Sequence, residues 1–178
     1  SADQGKVGKV SGCFSATSKR ESRRGAWAHA GTRFEPNIGM GQCDALGVWV
    51  HGDGKAEVLN LQLSNPPEYM QAFAEHYVKV DFEGWRYFEL LLRERDAEKY
   101  HDYEWPYFAQ HGIFRTALSR DHVSELNLYL NNLPPHETAT VYLSPLKAVR
   151  TTPVSLSSPT IEVNGQKLAL PVTLQSGS

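Results

Sequence analysis

With 178 residues the chain has room for one domain of ordinary size, with a substantial core, and a fragment of a second. Its 18 Lys and Arg stand against 20 Asp and Glu, so the basic footprint that nucleic acid requires is missing and no nucleic-acid partner is expected. No apolar run approaches the roughly 20 residues of a membrane-spanning helix and no basic-then-apolar leader opens the sequence, so the expectation is a soluble protein without a membrane partner.

Residues 1–9 are small and polar and read as an added remnant or a flexible end. A first short strand is predicted over Val10–Ala16. Cys13 and Cys43 lack any Cys-x-x-Cys or His-rich spacing that would suggest zinc. Two readings of them stay open: a disulfide in an oxidising compartment, contributing on the order of 3 kcal/mol, or two separate small residues. Ser18–Gly25 is a charged loop that solvent satisfies, with an anionic ligand as the second reading of its basic run. In Ala26–Gly31 the alternation puts Trp27 and His29 on one face, inward or outward. Thr32–Gln42, with Pro36, Gly39 and Gly41, reads as a connection.

Ala45–Leu63 carries the strongest pattern. Leu46, Val48 and Val50 alternate with Gly47, Trp49 and His51; after Gly52-Asp53-Gly54, Leu59, Leu61 and Leu63 alternate with Val58, Asn60 and Gln62. The glycines supply the positive φ of a tight reversal, so a hairpin is predicted, with one aliphatic face for a core and a second face carrying Trp49, His51, Asn60 and Gln62. That second face is either a solvated surface or a ligand platform.

Pro66 and Pro67 end the ladder. Residues 68–74 allow a helical turn or a partly ordered strand. Glu75–Phe82 alternates again, Gly84 interrupts, and Trp85–Leu92 reads as a strand. Arg93–Gly112 then gathers Tyr100, Tyr103, Trp105, Tyr107 and Phe108 with no period of 2 or 3.6, the mark of a long aromatic loop that either binds a ligand or caps the core. Ile113–Leu118 resumes a strand. Ser124–Asn131 sets Leu126, Leu128 and Leu130 against Asn127, Tyr129 and Asn131, Thr138–Leu146 is a further strand, and the domain is expected to end by residue 150. Residues 151–178, rich in Ser, Thr and Pro with a hairpin signal at Asn164-Gly165, read as a linker with edge strands or the start of a following module.

About eight alternating strands between Gly, Pro and Asn turns predict an all-β fold, an antiparallel β-sandwich of the jelly-roll kind covering residues 10–150. The acids Asp53, Glu57, Asp81 and Glu83 fall near turns, where solvation is the default and a structural calcium ion is the next reading; no other cofactor is indicated. Catalysis as a glycosidase or lyase through carboxylates and His29, His51, His101 or His111 is an alternative without a nucleophile signature behind it. A spacer or protein-interaction domain is another.

The runs Leu46-Gly-Val-Trp-Val-His-Gly-Asp-Gly, Val58-Leu-Asn-Leu-Gln-Leu and Val80-Asp-Phe-Glu-Gly-Trp-Arg-Tyr-Phe resemble those of galactose-binding-like jelly rolls, most of all carbohydrate-binding modules of the family 11 type. The resemblance spans about residues 45 to 150 and implies the fold first. It further implies a non-catalytic, secreted or cell-surface module that binds a polysaccharide or oligosaccharide and is covalently linked to a polysaccharide-degrading catalytic domain. Sugars offer C–H faces to Trp and Tyr and hydroxyls to Asn, Gln and Arg. The expected ligand is a neutral or mildly acidic polysaccharide, and the expected contacts are Tyr103, Trp105, Arg115, Asn127, Tyr129, Asn60 and Gln62, with no catalytic residue.

Overall fold

An extended segment whose alternate residues are aliphatic buries one side and exposes the other, and two such sheets face to face enclose a core. The computed structural model describes residues 10–66, 73–92 and 118–150, together with the backbone of 160–163 and 166–169. Its strands are β1 (Gly12–Thr17), β2 (Trp27–Ile38), β3 (Ala45–Asp53), β4 (Glu57–Ser64), β5 (Phe73–Val80), β6 (Glu83–Leu91), β7 (Val123–Asn131), β8 (Thr138–Leu143), β9 (Lys147–Val149), β10 (Thr160–Val163) and β11 (Gln166–Ala169). The first sheet runs β1-β8-β3-β6, with β9 also paired to β3; the second runs β2-β7-β4-β5. Every pairing is antiparallel. From β1 to β4 the chain changes sheet at each step, β4 pairs with its successor β5, and β6, β7 and β8 alternate again. This is the jelly-roll order that the strand count and turns predict. β10 and β11 form the small antiparallel pair expected around residues 164 and 165.

The core lies between the sheets. Leu59, Leu61 and Leu130 from the second sheet meet Val48, Val50 and Val141 from the first, all fully enclosed. Each such side chain is worth about 1.5–3 kcal/mol when removed from water. Asn65, also buried, fixes the far end: its Nδ2 donates to the carbonyls of Ser119 and His122 at 2.8 Å each, and its Oδ1 accepts from Ser119 N at 2.7 Å. That clamp ties the exit of β4 to the entry of β7 and so holds the register of the two central strands of the second sheet.

Several expectations change. β3 and β4 are not a hairpin: they belong to opposite sheets, so residues 52–56 arch across the sandwich. Gly54 does take φ 77°, and Ala56 follows at φ 61°. Asp53 holds the arch, its Oδ1 accepting from Lys55 N (3.2 Å) and its Oδ2 from Thr140 N (2.7 Å) on β8. Trp49 and His51 therefore lie on the outside of the first sheet, and Asn60 and Gln62 on the outside of the second. The alternation holds in both strands, but a Gly-rich turn reverses the chain equally well within a sheet or between two. β2 continues past Gly31 to Ile38, because an edge strand tolerates Pro36 and a register shift between Arg33 and Ile38. Glu57 is not solvated at a turn but fully buried on the core side of β4. Cys13, exposed, and Cys43, partly buried, are separate free thiols.

Candidate functional site

The outward side chains of the second sheet fall into cross-strand rows. Trp27 is opposite Asn131, which is opposite Val58 and then Lys79; the next row is His29, Tyr129, Asn60 and Tyr77; the next is Gly31, Asn127, Gln62 and Glu75; and Arg33, Glu125 and Ser64 follow. Directly opposed residues sit about 4.5–5.5 Å apart, close enough for each row to act as one surface. Four of the residues expected from the sequence, Asn60, Gln62, Asn127 and Tyr129, are thus brought together as nearest neighbours on one sheet. Tyr103, Trp105 and Arg115 lie outside the described residues.

The face grades from open to closed. Trp27, on the edge strand, is 48% exposed, and His29 is exposed beside it, whereas Asn60 and Tyr77 toward β5 are buried. Trp27 and Tyr129 have ring centroids 6.0 Å apart at 59°, and His29 and Tyr129 are 4.7 Å apart at 33°. Tilted rings of this kind make an open trough rather than a closed stack, so a flat apolar ligand surface finds rings to lie against.

The polar side chains are already held. Asn127 Oδ1 accepts from His29 Nε2–H at 2.9 Å, which leaves the Asn127 amide NH2 free of that contact. This pair crosses above Gly31, where a Cβ would meet both the Asn127 amide oxygen and the His29 ring. Glu75 accepts from Gln62 Nε2 at 3.1 Å and Asn60 Nδ2 at 3.3 Å. Glu125 accepts from Arg33 Nε at 2.7 Å and from Ser64 Oγ at 3.4 Å. Burial, then Glu75 and Glu125, raise the Tyr129 phenol above its ordinary range, so at neutral pH it keeps its proton and donates.

Sequence reasoning missed Glu75, Tyr77, Arg33 and Glu125, and left open the side on which Trp27 and His29 lie. The signal for Trp27 and His29 was present in their alternation with Ala26 and Ala28, the small residues that pack into the core. Glu75 was obscured because residues 68–74 mix helical and strand preferences just before it. Of the acids named for calcium, Asp53 stands opposite Glu83 and near the enclosed Glu57, with both of its carboxylate oxygens taking backbone N–H groups, while Asp81 and Glu83 are exposed. Among the described residues no group of three or more His, Cys, Asp or Glu side chains gathers to hold a metal.

No family model and no curated protein matches the sequence. In structure the chain is similar to carbohydrate-binding modules of families 11 and 30. One is the family 11 module of a cellulosomal cellulase of Clostridium thermocellum, at 9% identity and a TM-score of 0.48 over 81% of this chain and 85% of that one. Another is the Clostridium thermocellum family 11 module in complex with a β-1,3-1,4-mixed-linked tetrasaccharide, at 7% identity and a TM-score of 0.48 over 80% and 85%. A family 30 module follows at 14% identity and a TM-score of 0.47 over 78% and 67%.

Proposed function

We propose that the chain is a non-catalytic carbohydrate-binding module, that its glycan lies on the outer face of β2-β7-β4-β5, and that in the full-length, secreted or cell-surface protein it serves a linked polysaccharide-degrading domain. The observation that carries the reading is the placement of Trp27, His29 and Tyr129 as an open ring trough directly beside Asn127, Gln62 and Glu75 on one rigid sheet. A sugar ring packs its C–H face on Trp27 and Tyr129, its hydroxyls donate to Glu75, and they accept from the Asn127 amide and the Tyr129 hydroxyl. Asn60 is too buried to reach the ligand and acts by holding Glu75. Because Gln62 and Glu75 are tied before the ligand arrives, less ordering cost falls on binding.

The charge on the face selects further. Glu75 and Glu125 stand against Arg33 and Lys79 on this face, so it carries no net charge to attract an ionic chain, and a neutral polysaccharide is the ligand class. An open face with two rings supports a dissociation constant of about 10–100 μM. The test is calorimetry or affinity electrophoresis against a panel of neutral and acidic plant and algal glycans. Trp27→Ala and Tyr129→Ala should each weaken binding about tenfold while circular dichroism stays unchanged. Folded variants that bind like the parent would remove this face from the site, and a parent that binds no glycan would favour a spacer role.

A further inference from the structure

On the opposite side of the sandwich the outward side chains of the first sheet make a second ring surface. Cys13, Tyr142, His51 and Trp85 form one cross-strand row, and Trp49 and Tyr87 the next. The His51 ring meets Trp85 at 5.3 Å and 79° and Tyr142 at 5.7 Å and 88°, while Trp49 and Tyr87 are 5.5 Å apart at 50°. Steep angles of this kind leave the rings unstacked on one another.

Two backbone features set this surface. A Cβ at Gly47 would meet the Tyr87 hydroxyl, so the glycine lets the phenol lean across β3, with Tyr87 still 46% exposed. The Trp49 backbone is fixed by the residue after β8: its N–H donates to Ser144 Oγ at 3.0 Å and its carbonyl accepts from Ser144 N at 3.0 Å. Beside the rings run two hydroxyl pairs, Ser15 with Thr140 at 2.8 Å and Thr17 with Thr138 at 2.7 Å. In each pair one O–H is spent on the partner and the other remains to donate outward.

We propose that this face is a second glycan-binding platform, which takes a neutral polysaccharide chain across Tyr87, Trp49, His51 and Tyr142 with the β1–β8 hydroxyls alongside. Between the row of Asp53 and Glu83 and the row of Gly47 and Glu89, the outward positions are Trp49, Tyr87, His51, Trp85, Tyr142 and Cys13, none of them Lys, Arg, Asp or Glu, which selects an uncharged ligand along the rings; the Ser15–Thr140 pair marks the Asp53 end of the strip and Thr17–Thr138 lies just beyond it. Those same positions hold no aliphatic side chain. Rings bordered by hydroxyls match the alternating C–H and O–H surface of a sugar. The proposal rests on the glycan-binding reading of the module but uses none of the residues of the first face. Occupied together, the two faces would cross-link glycan chains.

The experiment is a titration of the full chain, with ¹⁵N-labelled tryptophan, against neutral gluco-, xylo-, manno- and galacto-hexasaccharides. Its four indole signals are assigned by single Trp→Phe changes: Trp27 reports the first face, and Trp49 and Trp85 the second. The expected result is saturable movement of the Trp49 and Trp85 signals by one of these sugars, weakened about tenfold in Tyr87→Ala, while the Trp27 response of that variant is unchanged. Movement of Trp49 and Trp85 with Trp27 silent would support this platform and remove the first. Movement of Trp27 alone would overturn the proposal and leave the first face standing. Shifts of Trp49 and Trp85 that depend on protein concentration without sugar, and vanish in Tyr87→Ala, would assign the strip to a second copy of the chain and also overturn it. Silence of all the signals toward every sugar would overturn both readings.

Discussion

The two outer faces are built on the same plan, alternate residues of strands whose other side is the core, but they use their polar groups differently. On the second sheet the carboxylates of Glu75 and Glu125 collect two amides, a guanidinium and a hydroxyl, so that four side chains are fixed by two acceptors. On the first sheet rings touch rings, hydroxyls pair with hydroxyls, and charge is confined to the ends of the strip. A network anchored on charge fixes direction and discriminates between hydroxyl patterns, because a misplaced sugar leaves a carboxylate or amide unpaired. A ring-and-hydroxyl surface stacks many sugars with small differences between them. On the readings proposed above, the second sheet selects and the first sheet adds grip.

Breaking what the faces share should have the largest effect. Leu61 is fully buried beneath both, and Leu61→Ala should cost about 2–5 kcal/mol. Urea unfolding followed at Trp27 and at Trp49 should then show the same lowered midpoint, since one core supports both sheets; separate midpoints would mean that the faces are independent units.

Glu57 comes next. Burial first, with the nearby Asp53 adding to it against a backbone hydrogen bond and Arg23, pushes its carboxyl from 4.5 up to about 7. The folded state thus holds a proton that the unfolded state releases near pH 4.5. Stability is therefore highest below that value and falls as pH rises through 7, by about 3 kcal/mol at most. Glu57→Gln should remove this slope and melt higher than the parent at pH 8 while the two converge near pH 4. A parent whose melting temperature is flat between pH 5 and 8 would show that Glu57 is solvated after all.

Period-two alternation was enough to place Asn60 and Gln62, and Asn127 and Tyr129, away from their leucines, because a strand has only two sides. It did not say that β3 and β4 part company, since Gly52-Asp53-Gly54 encodes a reversal of direction and the choice of sheet is made by the core and by the Asp53 bond to Thr140. Glu57 was misjudged for a related reason. Next to a turn a carboxylate normally meets water, but an arch between sheets carries the head of β4 inward. Trp27 and His29 join the candidate site only because β7 sets Tyr129 and Asn127 beside them, a contact across about 100 residues that local pattern does not contain.

The smallest expected effect concerns the carboxylates on the outer face of the second sheet. Glu125 is tied to the mostly exposed Arg33 and also acts on Tyr129. Glu125→Gln removes one negative charge and leaves the guanidinium without its partner, so the face becomes more positive by one unit. Two consequences follow in the same direction. The Tyr129 phenol should move back down toward its ordinary range, which a tyrosine titration by ultraviolet difference spectroscopy between parent and variant would detect. Affinity for an acidic glycan such as a polyuronate should rise about two- to fivefold at low ionic strength, the range of an exposed charge contact, and that gain should disappear in 0.5 M salt, roughly where the Debye length shrinks to 4 Å. Neutral-glycan affinity should stay within about a factor of two, because stacking on Trp27 and Tyr129 does not depend on the removed charge. An unchanged preference between neutral and acidic chains would mean that the carboxylates position their amide and guanidinium partners without setting the charge of the ligand.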